Sequence, residues 1–190
     1  FSKKNGLAIG ILPKLSNFSL DPQAQFTANP IAIEDVLGRK QKVHDTKLLS
    51  QIKNKIILIT GAGGSIGGEL TRQVSSLSPK LVILIESNEY ALYKISKEIK
   101  GNFICKLADI RDFAKIEEII KYYKPDIIFH AAALKHITFV EDEPLEALKT
   151  NFFSTVKICE LCKLYNISKM IFISTDKAVY PSNVMGASKR

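Results

Sequence analysis

No apolar run in this sequence approaches the roughly 18 to 20 residues that a membrane-spanning helix needs. The leading apolar stretch, Gly6 to Leu12, is short and is ended by Pro13, which suits a core strand better than a secretory signal. Membrane helices of a parent protein would therefore lie outside this chain. Cysteine is scarce, with only Cys105, Cys159 and Cys162. An odd count without a secretory signal points to reduced thiols and a cytoplasmic location, or the cytoplasmic face of a membrane if the parent is anchored. Cys159 and Cys162 read as CxxC, but VKICELCKLY has helical periodicity and no second Cys/His pair accompanies it. The pair is expected as small buried hydrophobes, and no metal site is expected. Internal repeats and low-complexity tracts are absent. So is any recognition-helix or aromatic-basic pattern, and nucleic acid is not an expected partner.

What is present describes a soluble globular chain: 46% apolar and 24% charged over 190 residues, enough for one buried domain and an appendage. The net charge of +8 is uneven, since residues 1–55 hold nine Lys/Arg against four Asp/Glu. A basic leader could face phosphate or a membrane surface; a solvated linker is the simpler reading. Pro13, Pro22 and Pro30 punctuate that polar stretch, and IEDVLGR (Ile33 to Arg39) fits one helical turn ended by Gly38. Residues 1–54 thus read as the tail or linker of a preceding domain, and 55–190 as the domain proper. A chain that begins at Phe1 reads as a piece of something longer.

From Lys55 onward, short wholly apolar runs alternate with longer amphipathic segments. The runs are IILIT (56–60), LVILIE (81–86), FICKLAD (103–109), DIIFHA (126–131) and MIFIST (170–175). Helical patterns follow to about Leu77, over about Tyr90–Lys100, over about 112–122 and over about 144–165. Runs without alternation mark strands buried on both faces, as in a parallel sheet between helix layers. The expected fold is α/β, a doubly wound parallel sheet of Rossmann type.

Each run ends in a distinctive polar or glycine-rich cluster, and in an open parallel sheet those ends share the edge where ligands bind. The first cluster, TGAGGSIGG, spaces Gly61, Gly64 and Gly67 as GxxGxxG between a strand and a helix that starts near Ser65 and Ile66. Gly61 permits a tight turn, Gly64 lets the backbone approach a pyrophosphate, and Gly67 allows close helix–strand packing. The reading is dinucleotide binding. Glu86 ends the second strand, where a carboxylate accepts from the adenosine ribose hydroxyls and repels a 2′-phosphate; no Arg follows in ESNEYALYK, so NAD is expected over NADP. The alternative is that Glu86 belongs to an acidic helix N-cap region. Asp109 accepts from the adenine amino group or caps the helix near Asp112. Ile110, Ala131, Ala132 and Lys135 fall on the same edge and are further cofactor-contact candidates.

Taken together, TGAGGSIG, ADIRD, HAAALKHI, EDEPLEALKTN and FISTDKAVYPSNVMGASKR resemble the extended short-chain dehydrogenases that modify UDP-N-acetylglucosamine. The likeness covers about Lys55 to Arg190 and is nearest to the large, membrane-anchored 4,6-dehydratases of bacterial polysaccharide biosynthesis. It implies an NAD-dependent dehydration: oxidation at C4, loss of the C5 proton and the C6 hydroxyl, and return of the hydride to C6. The resemblance places Thr175 on the C4 oxygen, Asp176 as the acid for the departing C6 oxygen and Lys177 as the C5 base. Lys189 is placed on the nicotinamide ribose. An amine base must be neutral, which burial and a nearby ammonium (Lys189 or Lys135) favour, and the acid must stay protonated, which burial also favours.

The common motif of these enzymes is Tyr-x-x-x-Lys, and here Met185 takes the tyrosine position. A thioether accepts no proton, so the C4 base falls to Asp176 or a bound water. The Met is shared by the large dehydratases. If Met185 is only a spacer, tyrosine should be tolerated there. Asn151 matches a family asparagine that supports the active-site strand, or else is a polar surface residue on a helix; His136 reads as a structural imidazole. The expected partner is a UDP-sugar, in a homo-oligomer. The alternatives are a UDP-sugar 4-epimerase, a dehydratase that also epimerises C5, or a non-catalytic NAD-binding fragment.

Overall fold

All five apolar runs pair into one parallel sheet in the computed structural model of the chain, which describes residues 10–11, 29–30 and 50–190. The chain divides into two units, Phe1–Asp45 and Thr46–Arg190. In the first, Gly10–Ile11 pairs antiparallel with Asn29–Pro30. The rest of the Gly6–Leu12 run and the turn expected at 33–39 lie outside the described residues.

In the second unit, β1 (Ile56–Thr60), β2 (Leu81–Glu86), β3 (Phe103–Leu107), β4 (Ile127–His130) and β5 (Lys169–Phe172) stand in the order β3-β2-β1-β4-β5. The chain builds outward from β1, then returns to its other side. The sheet therefore reverses beside β1, and the crevice for a ligand opens there, at the strands' carboxyl ends. Side-chain alternation sorts the strands onto two cores. Ile57 and Ile59 of β1 pack with Val74 of α1 (Ser65–Ser76) and with Leu92 and Ile95 of α2 (Glu89–Glu98). Leu58 packs the opposite way, with Ile116 and Ile120 of α3 (Phe113–Tyr123) and with Ile158 and Leu161 of α6 (Ser154–Leu164). Each fully buried Ile or Leu contributes about 1.5–3 kcal/mol. The architecture is the doubly wound Rossmann type.

Burial on both faces holds for β1 and β2, whereas β3 and β5 are partly exposed at the two sides of the described sheet. The expectation of burial for Cys159 and Cys162 is corrected. Cys105 lies on β3 and is exposed, Cys159 is exposed on α6 with its thiol donating to the Met170 sulfur at 3.6 Å, and Cys162 is only half-buried. Burial, followed by the neighbouring Cys159, pushes the Cys162 thiol up to about 11, which keeps it protonated. No cluster of metal-ligating side chains occurs among the described residues. None of their helices is long and apolar enough to cross a membrane.

The strands also stop sooner than their apolar runs, β3 at Leu107 and β5 at Phe172, because ladder pairing ends where the polar clusters begin. The helix expected over 144–165 is three pieces. After α4 (Ile137–Asp142), Pro144 opens α5 (Pro144–Ala147), a wide π turn spans Leu148–Phe153, and α6 follows. A final helix, α7, runs over Val184–Ser188, capped by Asn183 accepting from Gly186 N at 2.8 Å.

Candidate active site

The glycine turn leaves the top of β1 through Gly61, whose φ of 64° is left-handed; a Cβ there would stand 2.8 Å from the Ala132 backbone. A Cβ on Gly67 would run into the Gly61 carbonyl, so α1 sits as close to the turn as glycine permits. Gly64 precedes α1 without any side-chain cap, and no acidic residue occupies the first helical turn. The open amides and the positive end of the helix dipole make a cradle for an anion. Gly61, Gly64, Ser65, Ile66 and Gly67 all line a cavity of about 370 Å³ there.

Glu86 neither caps α2 nor stands free. Asn88 is the cap, accepting from Ala91 N at 2.9 Å. The Glu86 carboxylate instead accepts from Gly63 N at 3.0 Å, Ser87 N at 2.9 Å and Asn88 N at 3.0 Å, tying the glycine turn to the end of β2. Asp109 likewise leaves the capping of α3 to Asp112, which accepts from Lys115 N at 3.0 Å. The Arg111 guanidinium grips Asp109 and holds its carboxyl below the usual range. Glu86, Asp109, Ile110 and Ala132 line a second cavity, about 170 Å³, that shares Gly61 with the first.

Behind both cavities runs a buried polar chain. Thr60 Oγ accepts from Ala131 N and Ala132 N, each at 3.2 Å, so its own hydrogen points to His130 Nδ1 at 2.7 Å. His130 Nε2 then carries the ring hydrogen and donates to Thr155 Oγ at 3.0 Å, which donates onward to the Asn151 carbonyl at 2.7 Å. His130 is fully buried and neutral; burial, with the charge of Lys189 adding, pushes its pKa down to about 4. Asn151 is 2% exposed inside the π turn, which rules out the surface reading. Its side chain pairs with Leu134 N at 2.8 Å and Leu134 O at 3.0 Å, and donates to Ser188 Oγ at 2.9 Å. One amide thus fixes both the loop before Lys135 and the helix before Lys189.

Lys135, Thr175, Lys177, Met185, Lys189 and Ala131 line the larger cavity with the glycine turn. Lys189 Nζ donates to the Ile173 carbonyl at 3.0 Å and lies 5.3 Å above the Phe172 ring, and burial pushes its pKa down. Met185 is 5% exposed, packed with Val140 and Ala147. Asp176 departs from expectation. It is absent from the cavity wall, and its side chain is 89% exposed. The Thr175 hydroxyl donates to Asp176 Oδ1 at 2.9 Å, Lys177 N donates to the same oxygen at 2.9 Å, and Lys177 Nζ is 3.7 Å away. The Thr175 bond, then the Lys177 charge, hold the carboxyl below its ordinary range. The acid expected to be buried and protonated is exposed and ionised. Lys177 is half exposed as well, so the burial expected around it is not supplied by the described residues.

Residues 57–190 match the family described as "Polysaccharide biosynthesis protein". The chain belongs to that family. Relatives include the probable polysaccharide biosynthesis protein EpsC of Bacillus subtilis, 38% identical over 98% of this chain and 32% of that protein. Another is a UDP-N-acetylglucosamine 4,6-dehydratase (inverting) of Campylobacter jejuni, 32% identical over 71% of this chain and 40% of that protein. Among solved structures, Pen from Bacillus thuringiensis superposes with a TM-score of 0.68 at 31% identity, covering 73% of this chain and 44% of that one. The chain spans less than half the length of each of these three.

Within this family member, the site contains residues that the motifs did not single out. Ala133 and Ile173 line the larger cavity, and Ser174, which opens the polar cluster after the fifth run, lines it too. Thr155 carries no motif, and Thr60 opens the glycine motif without a role of its own; the signal available was that Thr60 stands opposite His130 once β1 and β4 pair. Arg111 stands inside the ADIRD string, but its sequence context gives it no role, because its second partner, Glu146, lies 35 residues away.

Proposed function

We propose that the chain is the cofactor-binding part of an NAD-dependent lyase that dehydrates a UDP-N-acetylhexosamine, taking UDP-N-acetylglucosamine to its 4-keto-6-deoxy form for a surface polysaccharide. The observation that carries this is the placement of Thr175, Lys177, Met185 and Lys189 on the wall of one cavity with the glycine turn. A hydroxyl and an amine then face the space where a nicotinamide and a sugar must meet. Met185 in the place of a tyrosine favours the lyase over a 4-epimerase.

NAD fits the turn, because glycine at 61 and 67 lets the turn and α1 pack this closely and the α1 amides, left without a side-chain cap, face the anion position. In this reading Gly61, Gly64, Ser65, Ile66 and Gly67 hold the pyrophosphate. Glu86, Asp109, Ile110 and Ala132 hold the adenosine, and Ala131, Lys135 and Lys189 the nicotinamide half. The chemistry that NAD supplies when bound is reversible hydride acceptance.

The ionised state of Asp176 suits the base that the Met185 substitution leaves unassigned. Thr175 passes its hydroxyl proton to Asp176 and takes the one from the C4 hydroxyl as the C4 hydride departs. Asp176 is then the carboxylic acid that the next step needs. Lys177, once its ammonium has given a proton to solvent, removes as an amine the C5 proton made acidic by the new carbonyl. The C5–C6 double bond forms, the C6–O bond breaks, and Asp176 protonates the leaving oxygen to release water. The hydride returns to C6, Lys177 returns its proton to C5 and regains one from solvent, and every side chain ends as it began. Incubation of the full-length protein with UDP-N-acetylglucosamine and NAD, read by NMR, is expected to give the 4-keto-6-deoxy sugar. A 4-epimer that keeps all its oxygens overturns the reading.

A further inference from the structure

The salt-bridge cluster on the outer wall of the smaller cavity does more than decorate the surface. Asp109 accepts from Arg111 at four points: backbone N at 2.9 Å, Nε at 3.0 Å to each oxygen, and Nη2 at 2.5 Å. The remaining arm of the guanidinium, Nη1, reaches Glu146 Oε2 on α5 at 2.5 Å, and Glu146 is steadied by Lys149 Nζ at 2.8 Å. The loop of Asp109, Ile110 and Arg111 forms one side of this cavity, and Thr150 of the π turn contributes from the other. Arg111 therefore bridges the two sides, and the bridge lands on the same helical run that carries Asn151.

We infer that Arg111 is a specificity-determining positioning residue, which fixes the Asp109 carboxylate to accept from the exocyclic amine of a bound adenine. This rests on the proposal above that the cavity takes the adenosine of NAD. Fork geometry is what selects arginine: a planar guanidinium locks the plane of a carboxylate through two parallel bonds while a third arm engages Glu146. A lysine ammonium is a point donor and would leave the plane of the Asp109 carboxylate held only by the backbone N–H of residue 111. Arg111 N and Nε occupy Oδ1 and Nη2 takes one side of Oδ2, with Nε shared between the oxygens, so the carboxylate keeps one lone pair, on Oδ2, for the base. An amine there makes a bond, while a purine carrying a carbonyl at that position meets lone pair against lone pair. The cluster is about two-fifths exposed, so it contributes little to global stability, and its effect belongs in base selection.

The test uses the full-length protein and two probes, NAD and nicotinamide hypoxanthine dinucleotide, titrated by calorimetry into the wild type, Arg111→Lys and Arg111→Ala. The wild type is expected to favour NAD by about tenfold or more, from one bond gained against one acceptor left facing another. Arg111→Ala should compress that preference to about threefold or less, with Arg111→Lys between, while the thermal midpoint stays within a few degrees. A merely structural role would weaken both dinucleotides alike and leave the ratio where it was, and that result overturns the inference. So does a wild type that binds the two equally. If NAD binds and the ratio collapses but no sugar is dehydrated, the proposed function fails and this assignment stands; if NAD does not bind, both fail.

Discussion

At Asp176 the sequence places an acid beside a base, and proximity alone leaves open which of the two is charged at rest. Its exposure and the hydrogen bond from Thr175 make it a carboxylate, so it has to collect a proton before it can give one. Asp176→Asn retains the shape and the bond to Thr175 but accepts no proton. Its kcat should fall by about 10³ or more, with the Kd for NAD within about twofold of the wild type, as rapid-quench assays and calorimetry would read. An Asp176→Asn enzyme that turns over normally removes the carboxylate from the mechanism. Met185 gives the opposite lesson. As a spacer in a sequence motif it should tolerate tyrosine, but the thioether is packed against Val140 and Ala147 with 5% of its surface exposed. Met185→Tyr is therefore expected to destabilise by about 1–3 kcal/mol through overpacking, seen as a lowered urea midpoint. An unchanged midpoint would mean that the pocket yields.

At the scale of elements, the strands and the faces they present were legible because the hydrophobic pattern sets them. Ile57 and Ile59 had to face one way and Leu58 the other, whatever the loops did. The interruption in the helix over 144–165 was not legible, since a π turn leaves the apolar pattern nearly unchanged and depends on where Asn151 finds partners. Nor was the Thr60–His130–Thr155 chain, which exists only once β1, β4 and α6 come together. That chain makes a prediction about pH. The His130 pKa is about 4 in the folded protein against an ordinary 6.5, so its contribution to stability is complete above 6.5 and is lost as pH falls toward 4. The amount is of order 3 kcal/mol. Urea midpoints of the wild type should drop between about pH 7 and pH 4.5 more steeply than those of His130→Gln, which has no proton to gain. Parallel profiles would show that His130 is not the group that titrates.

For the molecule as a whole, five polar clusters scattered through the sequence converge because a parallel sheet delivers every strand's carboxyl end to one edge. That convergence is legible in the sequence, and with it most of the cavity wall. What could not be read was the division of labour at that edge, where Glu86 and Asp109 each turn out to hold backbone or an arginine. Glu86 still places a negative charge beside the smaller cavity. The full-length protein should bind NAD at least about tenfold tighter than NADP, since a 2′-phosphate there meets a carboxylate that no cation neutralises among the described residues. Calorimetry with both dinucleotides decides it, and equal affinities would shift the specificity to residues elsewhere. The central claim is that NAD, held at this cavity, would accept a hydride from C4 and give it back at C6 of the same sugar while water leaves. The most direct measurement supplies the full-length protein with UDP-N-acetylglucosamine deuterated at C4 and follows the label by NMR. The account predicts a 4-keto-6-deoxy product with the deuterium on C6; deuterium that stays on C4, or is lost to solvent, would contradict it.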